Sequence, residues 1–250
     1  MWKWLFRVNQ IASEYVDRLF YRSDDMAMLK EFLTSVEPAD GVADVGGGKK
    51  PAKKFFPTRL GGHALYDGYD MDLDELRQAK HEYSEIYWID LVKPDFESSK
   101  QYEKVICVST LEHVTDTRVA IQNLAKMLKP GGKLYIKVPC KLALFAQLNL
   151  LLPGDLKKRL LHFVFPHKRG DGFPAYYNDC LPSKFMESAL LSGLQVEADK
   201  LNKTYYSTYF TFFFPFYIIW RAATLAQILL FKDYCESFEI VLCKPVEKPF

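Results

Sequence analysis

Gly41-Val42-Ala43-Asp44-Val45-Gly46-Gly47-Gly48 is the stretch that decides the fold, because a short apolar run passes directly into three glycines and Pro51 soon follows. The apolar run predicts a β-strand, and proline suits the first turn of a helix. Glycines at such a turn let the backbone approach a ligand closely, and the next helix presents free N–H groups. The stretch therefore predicts a strand, a ligand-binding turn and a helix.

Apolar runs alternate with helical patterns throughout residues 28–140. Further strands are expected at 63–70, 86–90, 102–108 and 133–139, and helices at 73–83 and 117–128. We expect Lys129-Pro130-Gly131-Gly132 to end the second of these helices. Strands that alternate with helices predict an α/β fold with a parallel sheet.

The predicted organisation is a single domain over residues 1–250. It has an N-terminal helical cap (1–27), a cofactor-binding core (28–140), a substrate or lid insertion (141–182) and a C-terminal part (183–250) that contains an apolar insertion at 205–231. The last strand is expected at 238–243.

Three acidic residues end three successive predicted strands, namely Asp44, Asp70 and Asp90. A carboxylate at the end of the second strand can accept both hydroxyls of a ribose, and parallel sheets bind nucleoside cofactors at this edge. Any one of these acids could instead cap the next helix. A nicotinamide dinucleotide site is disfavoured, because Pro51 stands where that fingerprint has its third glycine.

Five segments together resemble class I S-adenosylmethionine-dependent methyltransferases, and most closely the type 11 or UbiE-like group: 44–48, 68–72, 88–91, 105–114 and 124–134. The resemblance implies a Rossmann-like fold with a central, mostly parallel seven-stranded sheet, helices on both faces and an antiparallel last strand. One departure is Gly-Gly-Gly-Lys-Lys-Pro at 46–51, which replaces the commoner Gly-x-Gly-x-Gly.

The resemblance also implies how each residue would meet S-adenosyl-L-methionine. Asp44, Gly46, Gly47 and Gly48 would face its methionine part. Asp70 would bind the ribose, and Met71 would lie against the adenine. Asp90 would contact the adenine amino group, assisted by the backbone of Leu91. Ser109 would line the floor near the sulfonium.

Two histidines are candidates for catalysis. His113 follows the fourth strand at the mouth of the predicted site, where it would act as a general base if the acceptor must lose a proton. A structural role for the Glu112–His113 pair stays open. His167 lies in the insertion, next to a polar, aromatic and glycine-containing loop at 168–177 that is either a lid or an ordinary surface crossing.

The amino-acid composition limits the kinds of partner that we expect for this chain. With 33 Lys and Arg against 31 Asp and Glu, the formal net charge of +2 gives no general attraction to nucleic acid. The five scattered cysteines have no CxxC spacing, so neither a metal site nor a disulfide framework is predicted, and a cytoplasmic location is expected.

Two apolar features leave alternatives open. An amphipathic helix at 3–21 packs either on the protein or on a membrane surface. The nearly uncharged segment 205–231 is long enough to span a bilayer, but the strand expected at 238–243 must return to the same sheet. Peripheral membrane contact, a hydrophobic acceptor pocket and a dimer face all fit this segment.

The function expected from the sequence is transfer of a methyl group to a small-molecule, glycan or lipid-linked acceptor. The alternatives are a catalytically inactive binding or scaffold protein with the same fold and, with less support, a nicotinamide-dependent oxidoreductase.

Overall fold

A seven-stranded sheet forms the centre of the molecule, with the strand order β3-β2-β1-β4-β5-β7-β6. The computed structural model describes residues 2–20, 26–55, 65–154, 174–205 and 213–246. The strands are β1 Gly41–Val45, β2 Leu65–Asp70, β3 Ile86–Trp88, β4 Tyr102–Val108, β5 Leu128–Pro139, β6 Gln195–Thr204 and β7 Ser237–Cys243. Neighbours among β1 to β5 pair in parallel, whereas β7 is antiparallel to both β5 and β6. The predicted sheet, including its antiparallel last strand, is confirmed.

Helices cover both faces of the sheet. They are α1 Trp2–Phe20, α2 Ala27–Thr34, α3 Leu73–Gln78, α4 Thr117–Lys126, α5 Leu144–Leu151, α6 Pro182–Leu191 and α7 Phe214–Leu230. One core layer joins Leu29 and Leu33 of α2 to Ile106 of β4. The opposite layer joins Ile121 of α4 and Phe185 of α6 to the other side of the sheet. The central strands are therefore buried on both faces, which explains their nearly continuous apolar sequence.

The helix expected at 117–128 ends earlier than predicted, and its expected stop signal belongs to a strand. α4 ends at Lys126, and β5 begins at Leu128. Gly131 N–H donates to the carbonyl of Lys244 at 2.8 Å, and Lys244 N–H donates to the carbonyl of Gly132 at 2.9 Å. Because this pairing with the chain after β7 satisfies their backbone groups, the glycines extend the sheet.

Two other helices expected in the core also differ from the prediction. The helix expected at 73–83 is α3 followed by a separate 3-10 turn at Lys80–Glu82, an arrangement in which Ala79 and Tyr83 are buried. After Pro51 the described chain forms only a 3-10 turn, Ala52–Phe55. The residues that follow it, 56–64, lie outside the described part of the chain.

The parallel register brings the ends of the strands to one edge of the sheet, which we call the carboxyl edge. Val45 pairs with Tyr69 on one side and with Cys107 on the other. Ser237, the first residue of β7, pairs with Pro139 at the end of β5 and with Thr204 at the end of β6. Since α7 lies between β6 and β7 in the chain, it emerges at this same edge.

Three helices, α1, α5 and α7, form what we call the three-helix cap. Tyr217 and Trp220 of α7 are buried against Val16 of α1 and Leu144 of α5. The side-chain oxygen of Asn9 also accepts the first backbone N–H of α7, from Phe214, at 2.9 Å. Among the described residues, no helix has both the length and the apolar character that a membrane crossing requires.

Candidate functional site at the carboxyl edge

In the glycine turn after β1, Gly46 and Gly47 leave no room for side chains. Gly46 and Gly48 have φ angles of +77° and +47°, in the left-handed region that glycine adopts without strain. A β-carbon at Gly46 would overlap the side chain of Thr110. At Gly47 it would lie 2.6 Å from the Tyr83 hydroxyl, and at Gly48 2.7 Å from Glu75 Oε2. The backbone of the turn is therefore packed closely against its neighbours.

The side-chain hydroxyl of Thr110 links this turn to the end of β4. Its hydroxyl lies 3.1 Å from the carbonyl oxygen of Val108 and 3.4 Å from those of Val45 and Gly46. Thr110 could not be selected from the sequence, because its contact with Gly46 joins residues 64 positions apart. The available signals were its position two residues after a buried strand and its place in the 105–114 segment.

Asp44 supports the turn from the inside. Its side chain is 1% exposed, and Oδ2 accepts hydrogen bonds from Ala52 N–H at 2.7 Å and from the Tyr66 hydroxyl at 2.5 Å. The Tyr83 hydroxyl lies 3.4 Å from the same oxygen. Burial raises the pKa of Asp44 to about 6, although these hydrogen bonds oppose the shift. The observed role is to hold the loop, and the contact with a methionine moiety stays a prediction.

Asp70 lies beside the glycine turn. Its Oδ1 accepts the Asp72 N–H at 2.9 Å, and its Oδ2 would be 3.5 Å from a β-carbon at Gly48. Burial is the main cause that raises the pKa of Asp70, and the nearby Glu75 acts in the same direction. The structure therefore brings Asp70 and the predicted cofactor turn together, in an acidic environment that suits a cationic ligand.

Asp90 and Leu91 follow β3 in a tightly bonded loop. Ile89 N–H donates to the carbonyl of Asp70 at 3.0 Å, which aligns this loop with the end of β2. Asp90 Oδ1 accepts the Val92 N–H at 3.0 Å. The Leu91 side chain is buried, and its carbonyl accepts the Asn123 side-chain amide at 2.9 Å. Both residues thus lie at the expected edge of the sheet.

Met71 and Ser109 are exposed at the same edge. Met71, directly after β2, is 65% exposed. Ser109 has a φ of +52°, and its N–H donates to the carbonyl of Lys137 at 2.9 Å, so its backbone is held by β5. Neither side chain has a role in the core, and their predicted contacts with a cofactor stay predictions.

His113 is held by the later part of the insertion. Its Nδ1 lies 2.7 Å from the carbonyl oxygen of Pro174, and because a carbonyl can only accept, Nδ1 carries the proton. Its Nε2 lies 3.8 Å from Glu112 Oε1. His167, the other predicted catalytic histidine, lies outside the described residues, as do residues 168–173 of the predicted loop.

Glu112 is a buried acid at the mouth of the site. It is 5% exposed, and its Oε2 has no hydrogen-bond partner among the residues that the structure describes. Burial raises the pKa of Glu112 to about 8. Its backbone carbonyl accepts N–H groups from Tyr176 and Tyr177 at 2.8 and 3.1 Å. This joins the end of the insertion to the turn after β4.

A polar hollow of about 320 Å³ lies beside this junction. It contains two cationic side chains, Arg118 and Lys141, and none of the residues predicted to bind the cofactor. The full lining is Thr115, Asp116, Thr117, Arg118, Lys141, Asn178 and Asp179. The glycine turn is thus not part of the lining of this hollow.

Comparison with known proteins agrees with this architecture. A family model described as a methyltransferase domain matches residues 18–178. Ubiquinone biosynthesis O-methyltransferase of Erwinia tasmaniensis is 35% identical over 93 residues, which are 37% of this chain and 32% of that protein. The match thus spans about a third of that relative's length.

Solved structures share the fold at low sequence identity. An S-adenosylmethionine-dependent methyltransferase from Mesorhizobium loti is 11% identical with a TM-score of 0.52, over 87% of this chain and 97% of that one. The cyclase SpnF is 16% identical with a TM-score of 0.53, over 88% and 81%. At these identities the likeness concerns the fold alone, and a cyclase shares it.

Proposed function

Because the chain belongs to the methyltransferase-domain family, whose cofactor is S-adenosylmethionine, we propose that it transfers the methyl group of that cofactor to a small-molecule acceptor. The observation that carries the proposal is the pairing of a glycine turn, in which Gly46 and Gly47 leave no room for side chains, with the Asp70 carboxylate beside Gly48. The small-molecule class is supported by the relative that is named for ubiquinone biosynthesis.

The residues present fit this cofactor. The close-packed backbone of Gly46 to Gly48 offers a surface without side chains, and Asp70 offers a carboxylate for the ribose hydroxyls. The exposed Met71 would lie against the adenine, and Asp90 with the backbone of Leu91 would read the adenine amino group. Ser109 would complete the floor. Asp44 would act indirectly, by holding the loop that follows the glycine turn.

When bound, the cofactor supplies an electrophilic methyl group, so the protein's contribution is to orient the acceptor in line and to exclude water. If the acceptor is a hydroxyl, His113 is the proposed base. Its Nδ1 proton is directed to the Pro174 carbonyl, which leaves the lone pair on Nε2. Glu112 Oε1 lies 3.8 Å from Nε2.

The first test is calorimetric titration with S-adenosylmethionine. Asp70→Ala should weaken binding at least tenfold, about 1.4 kcal/mol, because the ribose loses its carboxylate partner. Asp74→Ala is the matched control, since Asp74 is an exposed acid on α3 with only a surface ion pair to Arg77. Equal affinity of a folded Asp70→Ala protein and the parent would refute the ribose role.

The second test incubates the protein and methyl-labelled cofactor with extracts of its host. Label in a small-molecule fraction is the expected result, whereas label in glycan, lipid or protein fractions would change the acceptor class. Binding without any transfer would support the inactive scaffold alternative. Displacement of the cofactor by a nicotinamide dinucleotide at comparable concentration would support the oxidoreductase alternative.

A further inference from the structure

Asn123 is a buried polar residue on helix α4. Its side chain is 1% exposed, and its helix neighbours Ala120 and Leu124 belong to the apolar core. Asparagine favours a helix less than alanine or leucine does, and a buried amide costs free energy unless it is hydrogen-bonded. An amide at this position therefore has to be explained by the partners that it binds.

The amide of Asn123 holds the loop that follows β3. Its Nδ2 lies 2.9 Å from the carbonyl oxygen of Leu91 and 2.9 Å from that of Lys93. Its Oδ1 accepts Lys126 Nζ at 3.1 Å. Because carbonyl oxygens only accept and an ammonium group only donates, this orientation of the amide is the one that suits all three partners. Both amide hydrogens are thus committed to the loop.

Lys126 adds a second link between α4 and the same loop. Its Nζ donates to the carbonyl of Phe96 at 3.1 Å, in addition to Asn123 Oδ1. The carbonyl groups of Leu91, Lys93 and Phe96 are therefore all directed toward α4. Contacts across 30 or more residues of sequence fix the loop, and not its own turns alone.

The loop leaves an acceptor beside a donor. Asp90 Oδ1 accepts the Val92 N–H at 3.0 Å, and the Asp90 carbonyl accepts the Lys93 N–H at 3.3 Å. Among the residues that the structure describes, neither Asp90 Oδ2 nor the Leu91 N–H has a hydrogen-bond partner. The edge of adenine offers the complementary pair, an amino group that donates and a ring nitrogen that accepts. Hypoxanthine has a carbonyl oxygen and a ring N–H in those places and does not match.

We propose that Asn123 is a positioning residue for adenine recognition: by holding the carbonyl groups of the loop, it presents Asp90 Oδ2 and the Leu91 N–H together to the edge of the base. The Ile89 N–H donates to the Asp70 carbonyl at 3.0 Å, which also aligns the loop with the proposed ribose carboxylate. This inference rests on the proposed function and adds the reason why the site selects adenine.

The test compares two ligands that differ only in the base, S-adenosylhomocysteine and S-inosylhomocysteine, by calorimetric titration. The parent should bind the adenosyl ligand at least about thirtyfold more tightly, because the inosyl ligand leaves both groups of the loop unpaired. Asn123→Leu keeps a side chain of similar volume without a donor, and it should lower this preference at least about fivefold. Asp70→Ala should weaken both ligands alike, since both contain the ribose.

Lys126→Met keeps the test decisive if circular dichroism shows that Asn123→Leu does not fold. Lys126 is exposed, and its replacement removes the donor to Asn123 Oδ1 and to the Phe96 carbonyl, so the preference should fall at least about twofold. The matched control is Lys184→Met, which removes an exposed helical lysine whose contact three residues away is with Glu187. It should keep the preference of the parent.

The ratio of the two affinities separates positioning from a general structural role. A folded Asn123→Leu or Lys126→Met protein that binds both ligands more weakly by the same factor would overturn the proposal. A parent that binds the two ligands equally would overturn it as well, while leaving the cofactor site in place. A parent that binds neither ligand would contradict the proposed function and, with it, this inference.

Discussion

The glycine turn and helix α7 both lie at the carboxyl edge, but they bury their polar groups for different reasons. At the turn, Asp44 is buried and accepts the Ala52 N–H and the Tyr66 hydroxyl, so its polar contacts hold the loop that follows the glycines. At α7, Arg221 and Thr224 are buried, and the outward surface is apolar. Buried polar groups therefore stabilise two different kinds of surface on one edge, a glycine turn beside an acidic side chain and an exposed apolar helix face.

The largest expected effect tests why Gly46 is needed in the turn: because it lacks a side chain, or only because of its backbone angles. Gly46→Ala should weaken S-adenosylmethionine binding at least a hundredfold, about 2.7 kcal/mol, because its β-carbon overlaps Thr110 and forces the turn to move. Calorimetric titration measures this loss. If the variant binds the cofactor as tightly as the parent does, the turn tolerates an added side chain and this expectation is wrong.

Gly193→Ala is the control for that experiment. Gly193 also has a positive φ, +73°, but a β-carbon there would meet no atom within 4 Å. We expect it to lower the free energy of unfolding by about 1 kcal/mol through backbone strain, with unchanged affinity for the cofactor. The difference between the two variants therefore isolates the steric contact with Thr110.

The next effect concerns the cap. Arg221→Met should lower the free energy of unfolding by about 2 kcal/mol, because the Tyr205 carbonyl and the Tyr217 hydroxyl lose a buried charged donor. Affinity for S-adenosylmethionine should change less than about twofold if the cap and the turn are independent. Chemical denaturation and calorimetry supply the two numbers. The exposed Arg77→Met serves as control and should be nearly neutral.

The smallest expected effect lies between the two regions, at Glu112. Because burial raises the pKa of Glu112 to about 8 from 4.5, the folded protein holds this proton more tightly than the unfolded chain does. The corresponding stability is fully present below about pH 4.5 and is lost as the pH rises through about 8. Glu112→Gln removes the ionisation, so its advantage over the parent should appear only at the higher pH.

Thermal unfolding at about pH 5 and about pH 8.5 measures that difference. We expect the melting temperature of Glu112→Gln, relative to the parent, to be higher by at least about 3 °C at the alkaline pH than at the acidic one, which corresponds to about 1 kcal/mol. Glu85→Gln, an exposed acid, is the control and should show no such change. The same offset at both pH values would mean that Glu112 is not buried as an acid.

Much of the carboxyl edge could be predicted from local sequence. Asp70 and Asp90 follow apolar runs, and parallel pairing brings the ends of such runs together. The prediction that Lys129-Pro130-Gly131-Gly132 ends a helix is wrong. The segment resembles a helix stop, but its backbone groups pair with Lys244, more than a hundred residues later. The cap could not be predicted in detail, since α7 buries its polar side chains and exposes its leucines, the reverse of the usual amphipathic pattern.

The amino-acid sequence alone determined the alternation of strands and helices, the glycine turn and the acids at the strand ends, because these depend on backbone preferences and on patterns within a few residues. Only the tertiary structure decided that Asp44 points beneath the turn, that Thr110 closes against Gly46, that Glu112 is buried and that α7 directs its leucines outward. Each of those outcomes depends on contacts between distant parts of the chain, where burial and hydrogen bonding outweigh local preference.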